Sequence, residues 1–274
     1  MWPVTRYQGG EPAILCARSG GAGPGGTAQR DARALRRRPM TGSGWHDHSF
    51  LGRLSRSARE TVLQLGRVQT VQPNRPLMRQ GEPGAAVYVL LDGRVGVERI
   101  VENGALSLLG IRHAGDLVGE MAVINDDVRT ATVTTLDRCA VSVIQARPFM
   151  TCLTRHPEAM LALSRMTGDR LTQANVYRAD AAGYEVDVRL ARALLYQAGR
   201  SPEREGGRPV VRLRQKQLAM LIGAQEGTVQ KALKGPTLRD LVHCGRGRVA
   251  LLDPPGLADL ADMPLPLQLC PPRR

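Results

Sequence analysis

The sequence predicts an α+β fold in three successive parts: an N-terminal β jelly-roll or barrel, a long helix, and a C-terminal winged helix-turn-helix. Three observations carry that prediction. Apolar spacing switches from helical to short β-rich pieces and back to helical. His156 to about Ala182 then keeps a near-heptad stripe of Met160, Leu163, Thr167, Leu171 and Ala174. Finally, a unit starting at Gln215 spaces Ala219, Gly223, Val229 and Ala232 as two tightly packed helices require.

In chain order, residues 1–45 contain GGAGPGG and the run Arg36-Arg37-Arg38 without sustained periodicity, and are expected to be a disordered leader. Translation is expected to begin near Met40, just before the first ordered-looking segment. From Phe50 to Leu65, apolar residues at 50, 51, 54, 58, 62, 63 and 65 predict a helix. Eight strand-like pieces follow between Arg67 and Ala146, with Gly81, Gly84, Gly93, Gly104 and Gly115 at the turns. They define a barrel domain over 46–155.

The helical period returns after Pro148, and 156–184 forms the long helix. Its stripe needs a partner surface, either a second copy of the chain or its own barrel; dimerisation is the expectation. Residues 185–253 hold a further amphipathic helix, the two-helix unit and a wing at 246–253. The Pro-rich stretch 254–274 is expected to be a flexible tail.

Composition narrows the function. The 274 residues carry a net charge of +13 and only 3% aromatics, so the cores rest on aliphatic side chains. The charge sits at the ends: seven basic against two acidic residues in 1–45, sixteen against fourteen in 46–184, and fifteen against nine in 185–274. That distribution points to a polyanionic partner. Cysteines 16, 139, 152, 244 and 270 lack metal or redox spacing and read as reduced thiols. His46, His48, His113, His156 and His243 form no nucleophilic or metal pattern, and no phosphate-binding loop follows a strand, so an enzyme is not expected. No run reaches the ~20 apolar residues of a membrane span, and no prosthetic group is implied. The expected compartment is the cytoplasm.

Two constellations carry chemistry. In the first, Gly119 to Ala131, Glu120 can accept from a sugar hydroxyl. Arg129 offers a planar fork to a phosphate, Thr130 adds a hydroxyl, and backbone near Gly119 and Ala131 completes an anion nest. By spacing alone, an ordinary Glu–Arg pair in a turn is the commoner reading. The second is the helix-turn-helix. Its second helix opens Gln225-Glu226-Gly227 and is cut by Gly235-Pro236, so it should stop near Lys234. Gln225, Glu226, Thr228, Gln230 and Lys231 would face DNA, with Arg214 and Lys234 beside them.

The stretches RPLMRQGEPGAAVYVLLDGRVGVER and GDLVGEMAVINDDVRTATVTTL resemble the cyclic-nucleotide-binding domain of the catabolite-activator and fumarate–nitrate regulator superfamily of transcription factors. The resemblance spans roughly 46–253 in the expected order of parts. It implies cyclic AMP or cyclic GMP as effector, with Glu120 on the ribose 2′-hydroxyl. Arg129 and Thr130 would take the cyclic phosphate, with backbone help at Gly119 and Ala131. The purine would lie against Ala174 and Asn175, of which only Asn175 can hydrogen-bond a base edge. The implied partners are double-stranded DNA, RNA polymerase and a second copy joined through 156–184. The Ser-Arg-Glu usual at the start of the recognition helix is replaced here, and the family's apolar residue at Pro236 is missing. Both an altered DNA site and a degenerate, non-DNA-binding C-terminal domain follow as readings.

Overall fold

The computed structural model describes residues 45–270 apart from Pro202, so the expectations for the leader and for Met40 lie outside the described residues. The helix expected from Phe50 is broken. Leu51–Arg53 is a single 3-10 turn and Leu54 is extended. The Ser55 side chain accepts from the Ala58 N–H at 3.2 Å and starts helix α1, Arg56–Gln64. A side-chain cap of this kind satisfies an orphan donor, which is why the chain restarts there.

Eight strands follow: β1 Arg67–Val71, β2 Pro76–Met78, β3 Ala86–Asp92, β4 Val95–Ile100, β5 Leu106–Arg112, β6 Leu117–Val118, β7 Thr132–Thr135 and β8 Cys139–Gln145. They form two antiparallel four-stranded sheets, ordered β1-β8-β3-β6 and β2-β7-β4-β5. Met78, Val95 and Val133 from one sheet meet Leu90, Val118, Cys139 and Val141 from the other in one buried cluster, the face-to-face core of a jelly roll. The piece DLVGEMAVI is only partly a strand, because β6 gives way to helix α2, Glu120–Ile124.

Helical structure resumes at Ala146 rather than after Pro148: α3 is Ala146–Arg155, with Pro148 in its first turn, where its missing N–H costs nothing. The chain bends at His156 and continues as α4, Pro157–Gly183. The heptad stripe divides between two surroundings. Leu163 is buried in the chain's own core with Ala159, Ala162 and Met166, whereas Met160 and Leu171 are exposed.

The C-terminal part comprises α5 Val186–Arg200, β9 Arg204–Glu205, β10 Arg208–Val211, α6 Gln215–Ile222, α7 Glu226–Lys234, β11 Val242–Gly245, β12 Arg248–Leu251 and α8 Pro254–Leu260. The strands form a sheet ordered β11-β12-β10-β9. Gly223, at φ 65° and ψ 43°, makes the left-handed turn between α6 and α7.

Two expectations are corrected here. Helix α7 does end at Lys234, but the packing expected to be lost at Pro236 is restored by fully buried Leu238, brought in by turns at 236–240. The tail after Asp253 is not loose over the described residues. Asp253 caps α8, accepting from Gly256 N–H at 3.0 Å, and Pro254 suits the first helical position. Leu257, Ala258, Ala261 and Leu269 then join the C-terminal core, and Arg192 on α5 donates to the Ala261 carbonyl at 2.8 Å.

Strand β5 ties the two parts together. Its Leu108 and Ile111 are buried in the same cluster as Leu190, Leu218 and Val229 of the C-terminal helices. Arg94 reinforces the junction, gripping Asp137 at 2.6 and 3.0 Å and donating to the Arg212 carbonyl at 2.9 Å.

Candidate functional site

A cavity of about 410 Å³ opens between the jelly roll and α4. Gly119, Glu120, Arg129, Thr130 and Ala131 all line it, so five of the six ligand residues expected from sequence are brought together. The local backbone explains the arrangement. Gly119 sits at φ 86° as the residue capping α2, and a Cβ there would lie 2.7 Å from Arg129 Nη1 and 2.9 Å from Met78 Cε. Only glycine allows the guanidinium so close.

Arg129 is almost fully buried and donates to the Gly119 carbonyl at 2.8 Å and to the Ala86 carbonyl at 2.6 Å. Burial lowers its pKa from the ordinary value, while Tyr88, Glu82 and Glu120 oppose the fall. Among the described residues it forms no carboxylate ion pair, which removes the reading of the segment as a simple Glu–Arg pair. Glu120 pairs instead with Arg170 from α4, at 2.8 Å, and Arg170 also donates to the Leu117 carbonyl at 2.6 Å.

Arg170 and Arg112 line the cavity and were both missed by sequence reasoning. The signal for Arg170 was its place on the long helix one turn before Ala174. For Arg112 it was a charge closing the otherwise apolar piece LSLLGIR. Asn175, the sixth expected ligand residue, does not reach the cavity within one chain. It is exposed on α4 and accepts from Arg178 at 3.2 Å.

The second site is the outer face of α7. Gln225, Glu226, Thr228, Gln230, Lys231 and Lys234 are all exposed, while Val229, Ala232 and Leu233 face the core. Arg214 is exposed at the start of α6. The positive face is smaller than the basic count suggests. Arg212 pairs with Glu203 and, at 3.3 Å, with Glu205, and Arg248 pairs with Glu205 at 3.0 Å.

A jelly roll with a ligand-sized cavity, joined by a long helix to a winged helix-turn-helix, defines a ligand-responsive DNA-binding regulator. Residues 68–156 match the family model of the cyclic nucleotide-binding domain, and residues 188–260 match that of the Crp-like helix-turn-helix domain. The chain is similar to the CRP-like cAMP-activated global transcriptional regulator of Mycobacterium tuberculosis, 32% identical over 168 residues, covering 61% of this chain and 73% of that protein. It is 25% identical over 187 residues to the cyclic AMP receptor protein of Thermus thermophilus, covering 68% of this chain and 84% of that one.

Among solved structures, the c-di-GMP responsive global regulator CLP of Xanthomonas campestris aligns with TM-score 0.63 and 22% identity, over 72% of this chain and 99% of that chain. FixK2 of Bradyrhizobium japonicum aligns with TM-score 0.63 and 16% identity, over 71% and 96%. The chain belongs to the Crp/Fnr family of transcription regulators and is not an enzyme. No helix among the described residues is long and apolar enough to cross a membrane.

Proposed function

We propose that the chain is a homodimeric cytoplasmic regulator in which a cyclic nucleotide occupies the jelly-roll cavity and reorients paired helix-turn-helix units on a near-palindromic DNA site. The carrying observation is Arg129, held by two carbonyls at the cavity wall and without a carboxylate partner among the described residues. Its fork suits the cyclic phosphate, with Thr130 and the backbone of Gly119 and Ala131 beside it. Glu120, steadied by Arg170, suits the ribose hydroxyl.

Exposed Met160 and Leu171 on α4 offer the seam for a second copy, and recognition helices ~34 Å apart would then meet successive major grooves. RNA polymerase is the further partner this role implies. The intact packing of α7 through Val229, Ala232, Leu233 and Leu238 favours retained DNA binding over a degenerate domain.

Calorimetry with cyclic AMP and cyclic GMP on wild type and Arg129→Ala tests the cavity. Loss of a hydrogen bond to a charged group removes ~1.5–3 kcal/mol, so affinity should fall by about 10- to 100-fold. Unchanged affinity overturns the assignment. Retention on duplex DNA should fall steeply with salt, and no retention at low salt refutes DNA binding.

A further inference from the structure

We propose that a second, smaller site lies where β5, α4 and α5 meet, and that it takes a compact oxyanion of the size and charge of inorganic phosphate, held by Arg112 and Arg200. The cleft there is lined by Arg112, Arg170, Arg200, Tyr177, Tyr196 and Gln197, among others. Its free volume is about 30 Å³, room for a few atoms and not for a nucleoside.

Charge is what calls for an occupant. Three guanidinium groups, of Arg112, Arg170 and Arg200, line the cleft against two carboxylates, Asp116 and Asp169, which leaves it positive. Glu120 serves Arg170, and Asp169 pairs with Arg53 at 2.5 Å. Asp116 accepts the His113 backbone N–H at 2.9 Å through one oxygen, and its Oδ1 is buried without a hydrogen-bond partner, so it offsets one of the positive charges and no more. Neither Arg112 nor Arg200 has a carboxylate within ion-pair distance among the described residues. Arg112 donates to its neighbour's carbonyl, Ile111, at 3.1 Å, while its Nε is sealed from solvent without a partner. Burial pushes the Arg112 pKa down to about 10, Arg170 and Arg200 push the same way, and Asp116 and Glu120 oppose them. A guanidinium so enclosed, with no carboxylate at ion-pair distance among the described residues, is costly unless an anion accompanies it.

The polar groups beside it are arranged as donors. Tyr177 Oη accepts from Gln197 at 3.5 Å, and Tyr196 Oη accepts from Arg200 at 3.2 Å. Each phenol therefore keeps its own proton to donate into the cleft. Two guanidinium forks and two phenol protons match a tetrahedral oxyanion. Because Arg112 belongs to the jelly roll and Arg200 to the helix leading into the DNA-reading part, the anion would bridge the two. Arg112 and Arg170 also line the larger cavity, whereas Arg200, Tyr177 and Tyr196 line the cleft alone, so the proposal does not require a nucleotide to bind.

Inorganic phosphate, titrated at constant ionic strength set with chloride, tests the proposal by thermal unfolding of the full chain. A saturable rise of a few degrees is expected for wild type. It should disappear in Arg200→Met, shrink in Tyr196→Phe, and persist in Arg129→Ala. Arg200 ends α5 half-exposed, and Tyr196→Phe removes a single oxygen, so the two variants test the site without emptying a core. No rise beyond the chloride control overturns the proposal, as does an equal rise in wild type, Arg200→Met and Tyr196→Phe. Loss of the rise in Arg129→Ala alone would put phosphate in the nucleotide cavity and overturn it too.

Discussion

Replacing Gly119 with alanine separates two costs that usually come together. The residue lies at φ 86°, and its Cβ would meet Arg129 Nη1 at 2.7 Å, Met78 Cε at 2.9 Å and the Ala86 carbonyl oxygen at 3.3 Å. The left-handed backbone alone costs an L-residue ~1–2 kcal/mol, or about 2–8 °C of melting temperature for a protein this size. The steric part is local and functional: Arg129 must move off the two carbonyls that aim it. Gly104→Ala is the control. It sits at φ 82° with nothing within 4 Å of its Cβ, so it carries the backbone cost without the collision. Thermal unfolding should show a loss in both variants, the larger in Gly119→Ala. Calorimetry with cyclic AMP and cyclic GMP should show weakened binding, by about tenfold or more, for Gly119→Ala only. Wild-type affinity in Gly119→Ala, or equal loss in Gly104→Ala, would refute the claim that glycine is there to make room for the guanidinium.

Gly227→Ala should raise stability by up to ~1 kcal/mol, seen by thermal unfolding, because Gly227 is exposed in α7 with nothing within 4 Å of its added Cβ. Leu257→Ala should cost ~2–5 kcal/mol in denaturant unfolding, since Leu257 is fully buried, and a wild-type midpoint would restore a loose tail. His113 should make the fold acid-sensitive. Burial first, then Arg200, Arg94 and His46, push its pKa down to about 4 against Asp116, from 6.5 unfolded. Its stabilising contribution is therefore complete above pH 6.5 and is lost as pH falls through 4, by up to ~3 kcal/mol. His113→Gln should flatten the stability profile over that window, as followed by pH-dependent unfolding.

The parts of the fold written as periodicity were legible. Strand alternation, the long helix and the Gln215 unit depend on local pattern, and the structure follows them. Elements decided by one side chain were not. A Ser55 cap split the Phe50–Leu65 stretch, and an Asp253 cap turned an apparently loose Pro-Pro segment into α8. Leu238 could not be seen to compensate Pro236, because its burial depends on turns that carry no period. In the cavity, Gly119, Glu120, Arg129, Thr130 and Ala131 lie close in sequence and were read as a group. Arg170 is 50 residues from Glu120, and only the packing of α4 on the jelly roll brings them together. Asn175 shows the converse: counting along a helix gives position but not facing, and within one chain the facing is outward.

What joins the cavity to the DNA-reading part is a defect in β5. The ladder with β4 pairs Val97 with Gly110 and Glu98 with Leu108, so Leu109 is an extra, unpaired residue. In a regular strand, alternation would put Leu108 and Ile111 on opposite faces. The bulge cancels one step, and both enter the C-terminal core. By the same shift Leu109 and Arg112 face the ligand cavity and the neighbouring cleft. One short strand thus has the cavity on one side and the base of the helix-turn-helix on the other. A ligand can move the equilibrium only through unequal affinity for two arrangements. β5 is where that inequality would act, because contact at Leu109 or Arg112 is separated from the DNA-reading core by a single residue of backbone.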